Sequence, residues 1–560
     1  MTSFVARAAS PALTANSRWA AGWPVVFAAA LPLLAFVLFG NVGMSLWDEG
    51  FLWYGAQRVL AGEVPQLDFQ AYDIGRYYWS AAWMLLLNSD GVMALRAGQA
   101  VLASLCVALA TGLVHKELRG PSWLIGAVAV SFWIWMAPYE KLADSFAVLL
   151  LVAGLSVLLG RRTARAWFIF GACLGIATGI GINHGAYGIV AGALAIMYCW
   201  ICDRAFVKPL LLMSLVLGGL AGYLPVLAFH IAVPGYSAAF FDAIRLIFES
   251  GTTNITLPLP RPHAIWTGTA PFFMHGVRES VLGVLWMAAA AFVLWGVAQV
   301  MFNAQQFATA ASPAPSTPTA HTVPPVYAAS LFVAVPYAHY FFSRADVIHA
   351  AISVLPILLA AWTCPDVRRA GVQRAALALV MAGSGLLALP WHSGYPLWRG
   401  QALESIDVRG DTLRLPDLQA ADVHFVQQAL QTQGGDSRLF YAAPYWPGAY
   451  AIAAQRSPTW EIYLLFPALP RRQLDEIERL TAAGVGFAVL TDHRMDYRPD
   501  LGLERTHPLI VQHLEHCMRP ADAAQQTQPR VALQTPPDTA PLTHPHARVL
   551  VAAHAVCPTS

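Results

Sequence analysis

The segment WPVVFAAALPLLAFVLFGNV (Trp23–Val42) and, four residues later, Trp47-Asp48-Glu49-Gly50 decide how this chain is read. The first part is apolar for long enough to cross the ~30 Å hydrocarbon core as a helix. It is too long for a signal-peptide core, no small-x-small cleavage site follows, and Arg7 and Arg18 precede it. The second part places two adjacent carboxylates where such a helix leaves the lipid, a position at which acids are costly unless wetted or paired.

Working outward, similar runs recur near 93–114, 122–138, 145–160, 167–183, 186–202, 209–231, 279–301, 325–342, 347–363 and 374–391, which predicts eleven spans. Composition agrees. The 560 residues are 57% hydrophobic and 12% charged, against about 25% charged in a soluble domain. A soluble enzyme is excluded by that shortage of charge, and disorder by the hydrophobicity. The net charge of +2 offers no basic surface for nucleic acid. The fold class expected is an α-helical polytopic membrane protein with a C-terminal α/β domain. Seven scattered cysteines give neither a zinc site nor a disulfide framework. Cys199 and Cys202 read as packing residues, while Cys517 and Cys557 would pair if their region is oxidising or stay as thiols otherwise.

Lys and Arg concentrate in alternate short loops: His115–Gly120, Arg161–Arg165, Asp203–Lys208 and Cys364–Arg374, with Asn303–Pro324 an uncharged Ala/Pro/Thr/Ser linker. This predicts a cytoplasmic N-terminus and, after eleven spans, an external C-terminus, periplasmic in a diderm bacterium. Residues 1–397 form the membrane part, with external loops at 44–92 and 232–278, and residues 398–560 the external domain. In the tail, Arg438–Tyr441 and Gly486–Leu490 read as strands around a helix at Arg471–Ala482, on which Leu474, Ile477 and Leu480 recur at three-residue steps. Arg548–Val556 reads as a last strand, and the Gln/Thr/Pro-rich stretch at 521–546 as a flexible insertion.

The external loops carry the chemistry. Gly50 onward predicts a helix lying in the membrane interface, with Phe51, Trp53 and Tyr54 as aromatic anchors and Gly62 as its stop. A second begins at Tyr77-Tyr78-Trp79, just after Asp73 and Arg76. Asp48 and Glu49 are the candidate catalytic carboxylates; helix capping would account for one acid well and for two less well. Asp73 and Arg76 read as substrate contacts or as a plain loop ion pair. Glu140 and Asp144 are four apart and share a helix face, with Lys141 beside them. They are candidate substrate contacts, or hard-oxygen ligands for Mg²⁺ or Mn²⁺. Arg344, Asp346 and His349 form a third group, in which the guanidinium suits a phosphate and the alternative is an Arg–Asp cap of a helical hairpin. Asn183 and His184 read as packing residues.

These residues resemble the GT-C glycosyltransferases, in the branch that contains protein O-mannosyltransferases and lipid A aminoarabinose transferases. The likeness lies in Trp47-Asp48-Glu49-Gly50, Tyr72-Asp73-Ile74-Gly75-Arg76-Tyr77-Tyr78-Trp79, Asp144 opening the fourth span, Arg344-Ala345-Asp346 with His349, and a tail segment from Tyr441 to Pro447 with Tyr450, Arg456, Ser457 and Pro458. Relatives often carry Lys-Pro-Pro before the second interfacial helix, where this chain has Asp73-Ile74-Gly75-Arg76. The resemblance implies an inverting transfer of sugar from a polyprenyl-phosphate carrier to an acceptor, with Asp48 as general base and Tyr77 among the substrate contacts. A transporter or flippase of lipid-linked sugars, and an O-antigen ligase or polymerase, are the rival readings. Transporters place ionisable residues near the midplane, whereas the spans here read as almost uncharged inside.

Overall fold

The computed structural model describes residues 15–118, 121–137, 139–161, 163–203, 208–249, 251, 254–267, 273–309, 323–368, 370–434, 439–521 and 547–553. Each of the eleven apolar runs is a helix. They are α1 (Ala15–Phe39), α4 (Val92–Glu117), α5 (Ser122–Ile134), α6 (Leu142–Gly160), α7 (Ala164–Ile180), α8 (Ile182–Cys202), α9 (Pro209–Ala232), α12 (Phe273–Thr309), α13 (Pro325–Ser343), α14 (Val347–Thr363) and α15 (Ala370–Leu387). Eight of the helices among the described residues are long and apolar enough to cross a membrane, and Ser122–Ile134, Ala164–Ile180 and Val347–Thr363 are shorter apolar helices. The chain is a multi-pass membrane protein. Helix α12 continues to Thr309, into the segment expected as linker; residues 310–322 of that segment lie outside the described residues.

Between the spans lie α2 (Asp48–Leu60), α3 (Gly75–Leu86), α10 (Tyr236–Glu249) and the short α11 (Ala264–Thr267). The bundle's tightest seam joins α7 to α9 through small residues. A Cβ at Gly171 would collide with the Leu215 carbonyl, and one at Gly222 with that of Ala172. Backbones approach this closely in lipid because small residues at the interface permit it.

The tail starts, after the short α16 (Tyr395–Trp398), with a hairpin that the sequence reading did not include: β1 (Glu404–Val408) and β2 (Asp411–Leu415). Its turn residues Arg409 and Gly410 take φ 55° and 83°, the left-handed pair that a two-residue hairpin turn requires. Then come α17 (Asp417–Gln433), β3 (Phe440–Ala443), α18 (Pro447–Ala453), α19 (Pro470–Ala483), β4 (Phe487–Thr491), α20 (Leu503–Thr506), α21 (Pro508–Cys517), β5 (Met518–Pro520) and β6 (Ala547–Ala552). The sheet order is β3-β4-β6-β5, with β3 and β4 parallel and the remaining pairs antiparallel. The expected strand–helix–strand unit is present. On helix α19, Ile477 and Leu480 face the core as expected, whereas Leu474 is exposed and Gln473 and Glu476 are buried. Cys517 is disulfide-bonded; Cys557 and the insertion at 522–546 lie outside the described residues.

One apolar core is shared between the two parts. It joins Trp47, Phe51, Trp53 and Tyr54 of the first loop to Val408, Leu413, Trp446, Tyr450 and Tyr463 of the tail. This corrects the expectation of an interfacial α2. Phe51, Trp53 and Tyr54 do not anchor in the membrane surface; they are at most 4% exposed and pack under the tail. The α2 and α18 backbones touch so closely that a Cβ at Gly50 would lie 2.6 Å from the Gly448 Cα, and Gly448 donates its N–H to the Leu46 carbonyl at 2.9 Å. Gly62, at φ 88°, ends the loop helix as expected.

Candidate active site at the tail-bearing end of the bundle

The two acids of α2 have different surroundings. Glu49 is buried and grips Arg96 through both oxygens, at 2.6 Å from Nε and 2.8 Å from Nη2. Arg96 also donates to the carbonyls of Gly40 and Gly43 at 2.7 and 2.6 Å. A guanidinium 2% exposed inside a span is stable only when its donors are met this way, and it ties the end of α1 to α4. Glu49, expected as a second catalytic carboxylate, is committed to this tie. Arg96 was missed in the sequence reading; its signal is a lone cation within an apolar run.

Asp48 sits in the first turn of α2 and is only half-buried. Its Oδ1 accepts a hydrogen bond from the Tyr463 hydroxyl at 3.0 Å, and its Oδ2 has no hydrogen bond among the described residues. Helix α2 packs against the single turn Tyr139–Lys141, which carries Glu140 and Lys141. The Lys141 ammonium is close enough to feel the charges of Asp48 and Asp144.

Asp73, Arg76 and Asp144 are brought together. Arg76 meets Asp73 at 2.8 Å and Asp144 at 3.4 Å and donates to the Glu140 backbone carbonyl at 3.3 Å. Burial alone would lower the Arg76 pKa; Asp73 and Asp144 instead hold it well above the ordinary value, so the guanidinium stays charged. Burial raises the Asp73 carboxyl despite that neighbour. Beyond Asp144 the network reaches His184, whose Nε2 lies 2.8 Å from Asp144 Oδ1 and whose Nδ1 lies 2.7 Å from the Tyr337 hydroxyl. His184 is thus a satisfied buried histidine, as read from the sequence, but its partner is a site carboxylate. Tyr77 is buried against Phe51 and Phe69 and supports α2 from below.

For a metal, the fit is poor. No group of three or more His, Cys, Asp or Glu that could hold an ion forms among the described residues. Asp144, a candidate ligand with Glu140, spends Oδ1 on Arg76 and His184.

The third group is also assembled. Arg344 gives Nε to Asp346 at 2.7 Å, and Nη1 and Nη2 to the two oxygens of Asp496, each at 2.7 Å. Asp346 caps α14, accepting from the His349 backbone N–H at 2.8 Å, and its Oδ1 lies 2.9 Å from His349 Nδ1. Burial would raise the Asp346 carboxyl, but His349 and Arg344 hold it at about 2. Asp496 comes from a tail turn at φ 53° and was not legible in the sequence. Arg344, Asp346 and Asp496 wall a cavity of about 720 Å³, a size typical of ligand pockets. It is also lined by Trp47, Arg261, Arg278, Leu282, Leu387, Trp391 and His493. Cations share its wall with apolar side chains, among them Trp47, which precedes Asp48 in the chain. His493 stacks edge-on to Trp47 at 4.2 Å, and burial lowers its pKa to about 3.

No protein-family model matches the chain, and no curated protein matches its sequence. Among solved structures it is similar to ArnT from Cupriavidus metallidurans bound to undecaprenyl phosphate, with TM-score 0.45 and 12% identity, over 96% of this chain and 100% of that one. It is also similar to the archaeal oligosaccharyltransferase AglB from Archaeoglobus fulgidus in complex with an inhibitory peptide and a dolichol-phosphate. The TM-score there is 0.39 and the identity 11%, over 90% of this chain and 73% of that one.

Proposed function

We propose that the chain is an inverting glycosyltransferase that moves a sugar from a polyprenyl-phosphate carrier to an acceptor hydroxyl at the external membrane face. The observation that carries this reading is Asp48: a half-buried carboxylate with one oxygen held, directly after Trp47, which lines a cavity with cationic and apolar walls. A base needs an accessible lone pair within reach of the proton it takes, and Asp48 has one where Glu49 does not.

In the proposed step, Asp48 removes the acceptor's hydroxyl proton as that oxygen attacks the anomeric carbon. The bond from that carbon to the phosphate oxygen breaks, and the polyprenyl phosphate leaves with the electron pair. One carboxylate is enough for inversion when the leaving group is a phosphate that departs without protonation. Lys141 and Arg76 beside Asp48, and Arg344, Arg278 and Arg261 on the cavity wall, offer positive charge to the departing phosphate. Asp73, Glu140 and Asp144 hold Arg76 and Lys141 and face the sugar, with Tyr77 behind α2. Asp346 and His349 orient Arg344, and the apolar wall and surrounding membrane lipids accommodate the carrier chain. Residues 398–560 form the external domain that closes the site over residues 1–397, with the N-terminus cytoplasmic and the bacterial inner membrane as the location.

The test is purified protein with a radiolabelled polyprenyl-phosphate sugar and candidate acceptors. Release of polyprenyl phosphate and transfer of label by the parent, absent in Asp48→Asn, is the expected result. Movement of intact donor across vesicles without cleavage would instead favour a transporter. A reporter fused after residue 400 should be active only outside the cytoplasm.

A further inference from the structure

We propose that Tyr463, from the tail, is a positioning residue of the transfer reaction: its hydroxyl fixes the Asp48 carboxylate with one oxygen turned toward the acceptor. This rests on the glycosyltransferase reading above.

Four observations support it. The Tyr463 hydroxyl donates to Asp48 Oδ1 at 3.0 Å across 415 residues of sequence. Its ring is 4% exposed and held between Phe51 and Tyr445, at centroid distances of 5.6 and 5.5 Å. Its backbone is clasped by the first loop: Gln70 Oε1 accepts from the Ile462 and Tyr463 N–H groups, each at 2.9 Å. Further bonds secure the same strap, from Gln70 N–H to the Trp460 carbonyl at 2.9 Å and from the Trp460 indole to the Gln66 carbonyl at 3.0 Å. A tyrosine needed only for packing requires none of this registration of its hydroxyl.

The consequence is chemical. A free Asp side chain rotates about two bonds, and only some rotamers place a lone pair on an incoming hydroxyl. Fixing Oδ1 leaves Oδ2 as the acceptor of that proton, which supplies orientation before the substrate arrives. Burial, with the nearby Asp48 charge, raises the Tyr463 phenol well above its ordinary pKa, so it stays a donor. The Asp48 charge also acts on Glu140, Lys141 and Tyr72.

Tyr463→Phe removes one oxygen and keeps the ring, and a melting curve checks that the protein stays folded. We expect kcat to fall about 10-fold with KM for the donor little changed. Gln70→Leu, which releases the clasp without touching Asp48, should lower kcat in the same direction. Combined with Tyr463→Phe it should add little, since both act through one contact. A Tyr463→Phe protein with parental kcat overturns the inference, as does a loss confined to KM. Full activity in Asp48→Asn overturns the base assignment and this inference with it. An inactive Asp48→Asn beside an unaltered Tyr463→Phe overturns this inference alone.

Discussion

Two charged regions face the tail, and they are organised differently. Around Asp48, the carboxylates of Asp48, Asp73, Glu140 and Asp144 share Arg76 and Lys141. Around Arg344, the charges balance: Arg344, Arg261 and Arg278 stand with Asp346, Asp496 and Glu279, and Arg344 pairs with Asp346 and Asp496 and Arg261 with Glu279. Matched charges at a membrane edge hold pieces of protein together. An excess of one sign is costly to keep, and the cost is tolerated where charge is needed for chemistry.

The strongest way to break this contrast is Asp48→Asn. In the unmatched region it should abolish base catalysis, a loss of about 10²–10⁴ in kcat, with the melting temperature unchanged; a large loss of stability instead would place Asp48 with the structural acids. Glu49→Gln, one residue away in a matched pair, should do the reverse. It leaves the Arg96 charge buried and unpaired, at about 3–5 kcal/mol, visible as poor accumulation and early melting, and Glu49→Gln with Arg96→Met should recover much of it. Gly222→Val carries no charge and tests the bundle alone: the collision with the Ala172 carbonyl should destabilise by about 1–3 kcal/mol and leave kcat per folded molecule intact.

The smallest effect concerns pH. His493 lies in the matched region and stays neutral down to about pH 3 because it is buried, while in the unfolded chain it titrates near 6.5. Below 6.5 the unfolded state therefore binds more protons, and stability falls as pH drops toward 3. Between pH 6.5 and 5.5 the loss should be about 1 kcal/mol, and it should vanish in His493→Phe, as measured by thermal melts across that range.

How much of this was legible in the sequence follows from the range of the forces involved. Spans are written locally, so all eleven apolar runs are helices. Asp73 with Arg76, and Asp144 with Glu140, were picked out because charge is scarce, but the joining of the two groups into one network depends on how α3 and α6 pack. The β1–β2 hairpin had a local signal in Arg409-Gly410 between alternating apolar residues. Tyr463, Gln70 and Asp496 had no local signal. Each acts through a partner more than 150 residues away, and pairing at that distance is not encoded in the spacing of neighbours. The aromatic residues of α2 show the converse: Phe51, Trp53 and Tyr54 have the composition of a membrane-surface anchor, and the tail buries them instead.

The clasp between the first loop and the tail also sets an order of events during synthesis. Asp48 is made early and Tyr463 415 residues later, so at about 5–20 residues per second the ribosome separates them by roughly 20–80 s. Throughout that interval Trp47, Phe51 and Tyr54 have no tail to cover them. The nascent chain thus holds a carboxylate in the membrane without the partner that aims it, and a chain cut short before the tail carries the acid but not the assembled site. Assembly of the site is in effect a check on completed translation.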